Sequence, residues 1–95
     1  MYCKEEYMKA FDELLEHYAE ECNNYCGRFH ELEIPYPDKR DLYLKQVDIF
    51  EHLMYGATGM LRKLNLGKIS IDDNDRMYQK IREKKEDIIN NFLVK

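Results

Sequence analysis

Three residues able to bind soft metals recur at a helical repeat: Cys22, Cys26 and His30 follow one another every four positions. On an α-helix this spacing sets them along one face, close enough to share an ion, with His17 or His52 as a fourth donor. Zinc sites, however, draw ligand pairs from separate elements through tight local turns, and a run inside one helix departs from that plan. Cys22 falls in an apolar stripe and Cys26 borders it, so the expectation is a pair of packed thiols with no metal assigned. A disulfide between residues four apart on one helix would be strained. Three cysteines are an odd count, and reduced thiols in a reducing compartment are the simpler reading. Asp72-Asp73-Asn74-Asp75 looks like a calcium loop but lacks its glycine and its twelfth-position glutamate in register, so helix capping accounts for it. No nucleophile–base pair and no phosphate-cradling loop is present. No catalytic residue and no cofactor is therefore assigned, and the chain reads as a non-enzyme.

Two carboxylate pairs remain, Glu13-x-x-Glu16 and Asp48-x-x-Glu51. In them the chain resembles the all-α nucleoside-triphosphate pyrophosphohydrolases of the MazG kind, which hold Mg²⁺ between an E-x-x-E helix and an E-x-x-D helix. The resemblance covers these four residues, and the second pair stands in reversed order. It implies Glu13, Glu16, Glu51 and Asp48 as ligands and a Mg²⁺-dependent pyrophosphohydrolase as a second alternative function. Both pairs lie mostly outside the apolar stripes, so nothing in the pattern requires them to converge.

Surfaces carry more. Residues 1–37 hold nine acids and three bases, a net of −6, whereas residues 38–64 and 65–95 each carry a net of +1. Glu13, Glu16 and Glu20 belong to this acidic first segment, which reads either as a solvated face or as a surface that docks onto a basic protein partner. With a net charge of −4, direct DNA binding is not expected. In the second segment Ile49, Leu53, Gly56, Gly59 and Met60, flanked by Tyr55, Thr58 and His52, form an apolar strip distinct from the core stripe. Two mid-helix glycines cost roughly 1–2 kcal/mol together, which is tolerated where backbone approaches something closely. That neighbour is either the third helix of the same chain or a partner, with self-association into a homo-oligomer among the expectations. Tyr2, Tyr36 and Tyr55 are candidates for exposure. Tyr36 near Lys39 and Arg40, or a tyrosine near Arg62 and Lys63, would stack a base while the cations hold phosphate, making a sponge for a cyclic or other small nucleotide the first alternative function.

The elements that must position these residues follow from apolar spacing. Met8, Phe11, Leu15, Tyr18, Cys22, Tyr25, Phe29 and Leu32 alternate by three and four, as do Tyr43, Val47, Phe50, Met54, Ala57, Leu61 and Leu64. Helix 1 is expected over about 4–32, with Gly27 as an alternative stop. Pro35 ends it in either case. Helix 2 is expected over about 38–65 with Asp38 as N-cap, closing at Asn65-Leu66-Gly67, and helix 3 over about 72–94 with Ser70 or Asp72 as cap. Lys85 interrupts the inner face of helix 3. Residues 68–71 read as a loop, with a very short strand as the alternative. Two short connections imply an all-α antiparallel three-helix bundle of one domain, residues 1–95. Its core is thin for the chain length, which favours a partner. No apolar run approaches the ~20 residues of a membrane helix, and the N-terminus lacks a signal-peptide pattern, so the expected setting is the cytoplasm of a host cell. Abundant Lys, Asn, Ile and Tyr without Trp fit an AT-rich genome. Size and composition together point to a small binding protein, a phage or mobile-element inhibitor of a host defence protein.

Overall fold

The computed structural model describes residues 4–65 and 68–93. Three helices, α1 (Lys4–His30), α2 (Tyr36–Leu64) and α3 (Ile71–Phe92), pack into an elongated bundle of 49 × 18 × 16 Å. Their register is fixed by contacts far apart in sequence. Tyr7, Asp12 and Glu16 of α1 meet Asp73, Lys80 and Lys84 of α3 in the same order, so these two helices run parallel, while the N-terminal turns of α2 meet the last turn of α1. The topology is up-down-up. Among the described residues no helix is long and apolar enough to cross a membrane.

The core comes from the stripes: Phe11, Leu15 and Cys22 from α1, Tyr43, Val47, Phe50, Met54 and Leu61 from α2, and Met77, Ile81 and Ile88 from α3. Burial departs from the expected stripes at their edges. Ala19 and Cys26 are buried, whereas Tyr25, Leu32 and Leu64 are exposed, and Thr58 replaces Ala57 in the interior of α2. The reason is the drift of a 3.6-residue helix against a three/four alternation over seven turns. Thr58 is accommodated because its hydroxyl donates to the Met54 carbonyl at 2.9 Å. Cys22 and Cys26 are buried thiols. Cys26 donates toward Cys22, which together with burial pushes the Cys26 thiol up, and the same bond draws Cys22 down.

Helix boundaries shift in ways that local chemistry explains. Helix α1 passes through Gly27 and stops at His30, two residues before the expected end, where Glu31 and Leu32 donate back to Arg28 and Phe29 in tighter turns. Helix α2 begins at Tyr36 rather than Asp38. Pro35 is its N-cap and accepts from the amides of Asp38 and Lys39, while Pro37 sits in the first turn, where a missing N–H costs nothing. Asp38 is thus a first-turn acid and not the cap. Helix α2 ends at Leu64 with Asn65 as C-cap. The expected stop at Leu66-Gly67 lies outside the described residues, as do Tyr2 and the expected end of α3 at residue 94. Ser70 caps α3, its Oγ accepting from the Asp73 amide at 3.1 Å, and residues 68–70 form a loop.

Candidate functional site

Three ion pairs line the side of the α1/α2 hairpin that α3 occupies. Lys80 reaches Asp12 at 2.8 Å, Lys84 reaches Glu16 at 2.7 Å and Lys85 reaches Glu51 at 3.1 Å. Each pair contributes little to stability, ~0–1 kcal/mol, beside the burial of Met77, Ile81 and Ile88. Lys85, which interrupts the inner face of α3, therefore does so to pair with α2. On the same side the Tyr55 and Tyr78 rings lie 5.6 Å apart, and Arg62 donates to the Tyr78 hydroxyl at 3.2 Å. Burial and a hydrogen bond with Glu51 push the Tyr55 hydroxyl up.

The opposite groove has no such cover. Tyr18, Cys22 and Tyr25 of α1 face Gln46, Ile49, Phe50 and Leu53 of α2 along one stretch of it. Further along, Glu6, Tyr7, Lys9, Ala10 and Glu13 face Leu61 and Leu64 across a cleft of about 330 Å³. Large apolar side chains stand out of this face: Tyr25 is 46% exposed, Ile49 41%, Leu53 43%, Met60 59% and Leu64 49%. A Cβ added to Gly56 or Gly59 would meet nothing within 4 Å. Close packing of these glycines against α3 is thereby overturned, because α3 lies over the other side of α2.

The expected contact residues divide between these two sides. Ile49, Leu53, Gly56 and Met60 share the open face. Tyr55 turns toward α3, and Gly59 lies between the two. On α1, Glu16 is held by Lys84, while Glu13 and Glu20 are exposed with no ion pair among the described residues. The open face also recruits Tyr25 and Leu64, which the three/four pattern assigned to the core.

The candidate nucleotide residues divide as well. Tyr36 and Lys39 line a cavity of about 440 Å³ at the end of the bundle, with His30, Ile34, Tyr43, Asn91 and Phe92. Lys39 donates to the His30 carbonyl at 2.7 Å, Tyr36 to the Leu93 carbonyl at 3.1 Å, and the Tyr43 hydroxyl lies 3.4 Å from His30 Nδ1. Arg40 lies beside Asp41, Arg62 beside Tyr78, and Lys63 is exposed on α2; none of the three lines this cavity. His30, Tyr43 and Phe92 went unrecognised because they converge from three helices.

The four carboxylates of the MazG resemblance do not form a donor set. Glu16 and Glu51 face different lysines, Asp48 lies 3.5 Å from His52, and Glu13 borders the open groove. Among the described residues no three His, Cys, Asp or Glu side chains are grouped to hold a metal. The residues present thus do not fit a Mg²⁺ site, because lysines occupy the positions where a cation would bind.

The fold and its open groove define a class, a three-helix bundle with one uncovered hairpin face. Comparison with protein-family models, with curated proteins and with solved structures finds no match to this chain.

Proposed function

We propose that this chain is a non-enzymatic binding protein that acts by protein–protein contact through the uncovered α1/α2 face. The observation that carries this reading is the apolar strip Ile49, Leu53, Met60 and Leu64, exposed beside Tyr25 and around Gly56, which has open space beyond its Cα. Contiguous apolar surface of this kind marks interaction sites in soluble proteins. Glu13 and Glu20, exposed on α1, favour a partner with a basic surface and speed its approach. The biological setting we propose is inhibition of a host defence protein by a phage or mobile element in the host cytoplasm; its support is small size and composition. The test is affinity capture from host lysate with wild type and Leu53→Arg side by side. Proteins held by the wild type and released by the variant, at equal helix content, agree with the reading. Equal capture by both proteins refutes it.

A second reading has one observation in its favour. Tyr36 and Lys39 share the end cavity with His30, Tyr43 and Phe92, which places a cation beside aromatic rings as a small nucleotide requires. Purified protein that releases nucleotide on denaturation, with release lost in Lys39→Glu, supports it. Protein free of nucleotide and not stabilised against melting by added mono-, di- or cyclic nucleotides overturns it.

A further inference from the structure

We propose that the cavity at the end of the bundle takes a ligand with one phosphate and one planar ring system, a nucleoside monophosphate, in preference to a nucleoside triphosphate or a cyclic dinucleotide. This rests on the reading of that cavity as a nucleotide site and fixes how many phosphates and bases it accepts.

Charge sets this cavity apart from the clefts along α1 and in the open groove, each of which includes Glu13 or Glu21. The chain has 19 acidic residues, and none of them lines the end cavity, although Glu31, Glu33 and Asp38 are its neighbours in sequence. Its lining instead carries Lys39, the imidazole of His30 and the amide of Asn91. An anion that the acidic clefts repel is accepted here.

Lys39 is held in place before any ligand arrives. Its Nζ donates to the His30 carbonyl at 2.7 Å, which uses one of its N–H donors and leaves the others for a phosphate. The side chain is partly buried, so its charge is screened less than that of a lysine in open solvent. The Tyr43 hydroxyl lies 3.4 Å from His30 Nδ1 and, raised by burial, keeps its proton at neutral pH. A hydroxyl that donates to Nδ1 leaves the imidazole proton on Nε2, where it is a further donor. One ammonium and one imidazole N–H suit a single phosphate. A second phosphate finds no other cation among the described residues of the lining, and Arg40 stands beside Asp41 instead.

The wall for a base is equally fixed. Tyr43 is 2% exposed and its ring lies 5.3 Å from that of Phe92, so Tyr43 backs Phe92 and leaves Phe92 as the more accessible ring of the pair. Tyr36, exposed at the same cavity, is anchored by its hydroxyl on the Leu93 carbonyl at 3.1 Å. Any base has a π-face to stack on such a ring. The volume of about 440 Å³ lies toward the small end of the about 300–1,000 Å³ of ligand pockets, which suits one base and not two. A ligand seated there bridges the last turn of α1, the first turns of α2 and the last turn of α3, so binding also raises the melting temperature.

Isothermal titration calorimetry and thermal melts of the whole chain test this, with the common nucleoside 5′-monophosphates, ATP, cyclic di-AMP, adenosine and inorganic phosphate as probes. At least one monophosphate is expected to bind about tenfold or more tighter than adenosine or inorganic phosphate, with ATP and cyclic di-AMP no tighter than that monophosphate. Lys39→Met is expected to weaken binding about tenfold or more, Lys39→Arg to retain most of it, and Lys68→Met, exposed in the loop at the opposite end, to leave it unchanged. Because Lys39→Met also removes a cap from α1, helix content is measured alongside, and Phe92→Leu, which keeps an apolar wall and loses the stacking face, is expected to weaken binding as well. ATP or cyclic di-AMP bound tighter than every monophosphate overturns the one-phosphate assignment and leaves the nucleotide reading standing. Adenosine or inorganic phosphate bound as tightly as the monophosphates overturns the joint recognition of ring and phosphate. Binding indifferent to both Lys39→Met and Phe92→Leu, or no binding of any nucleotide, overturns the proposal and the nucleotide reading of this cavity together.

Discussion

Tyr7→Phe removes one oxygen from a contact that ties the start of α1 to the start of α3. The Tyr7 hydroxyl donates to Asp73 Oδ2 at 2.6 Å, and the two residues are 5% and 6% exposed. The phenylalanine ring fills the same space, so the lost stability reports the hydrogen bond and not a cavity. A hydrogen bond to a charged group contributes about 1.5–3 kcal/mol. The Ser70 cap on the Asp73 amide survives the change, so the α3 N-terminus is not itself dismantled. For a domain of this size each kcal/mol moves Tm by about 4–8 °C, giving an expected drop of about 6–24 °C. Circular-dichroism melts and urea titrations of wild type and variant measure it. A second arm uses pH. The hydrogen bond to Asp73, and then burial, push the Tyr7 hydroxyl from 10.0 up to about 12. The folded state therefore holds this proton more tightly than the unfolded chain does. Its stabilising effect is complete below pH 10 and is lost as pH rises from 10 to about 12. Wild type should lose stability more steeply than Tyr7→Phe over that window; the residual loss in the variant comes from Tyr43, Tyr55 and Cys26, which are also raised. A stability loss below about 0.5 kcal/mol, within the range of neutral surface changes, together with parallel alkaline profiles, would refute the reasoning.

Phe50→Ala, at a site 1% exposed in the middle of α2, should cost about 3–5 kcal/mol, and Leu15→Ala about 2–5 kcal/mol, both read as urea midpoints. Gly27→Ala should stabilise the protein by about 0.5–1 kcal/mol, because the helix runs through that position and a Cβ there meets nothing within 4 Å; a lower midpoint would mean that α1 is not continuous. Glu51→Gln should lower stability by no more than about 1 kcal/mol, since it removes one partly exposed pair with Lys85; a larger loss would mean that this pair, and not apolar burial, holds α3 in place.

Repeats of three and four are a local signal, and they located the three helices and most of the core. Ends and edges were harder to read. Asp38 is a good cap by type, yet Pro35 and Pro37 preset the backbone two residues earlier, and the helix starts where φ is already fixed. Tyr25 and Cys26 are adjacent and both apolar, so only the phase of α1 against α2 after seven turns decides which faces inward. Lys85 read as a flaw in α3 because its partner, Glu51, lies 34 residues away.

That last case explains why the candidate site was only half legible. The sequence displays two apolar strips on α2 and one acidic helix, but which strip stays open depends on the groove α3 enters. That groove brings Asp12, Glu16 and Glu51 to Lys80, Lys84 and Lys85, pairs separated by 34 to 68 residues that no local period encodes. With α3 in that groove, Glu6, Lys9, Glu13 and Glu21 of α1 and the apolar Ile49, Leu53, Leu61 and Leu64 of α2 border the other. In the first groove acids of both α1 and α2 pair with lysines of α3; in the second, apolar side chains of α2 stand open beside α1, with no third helix left to fill it.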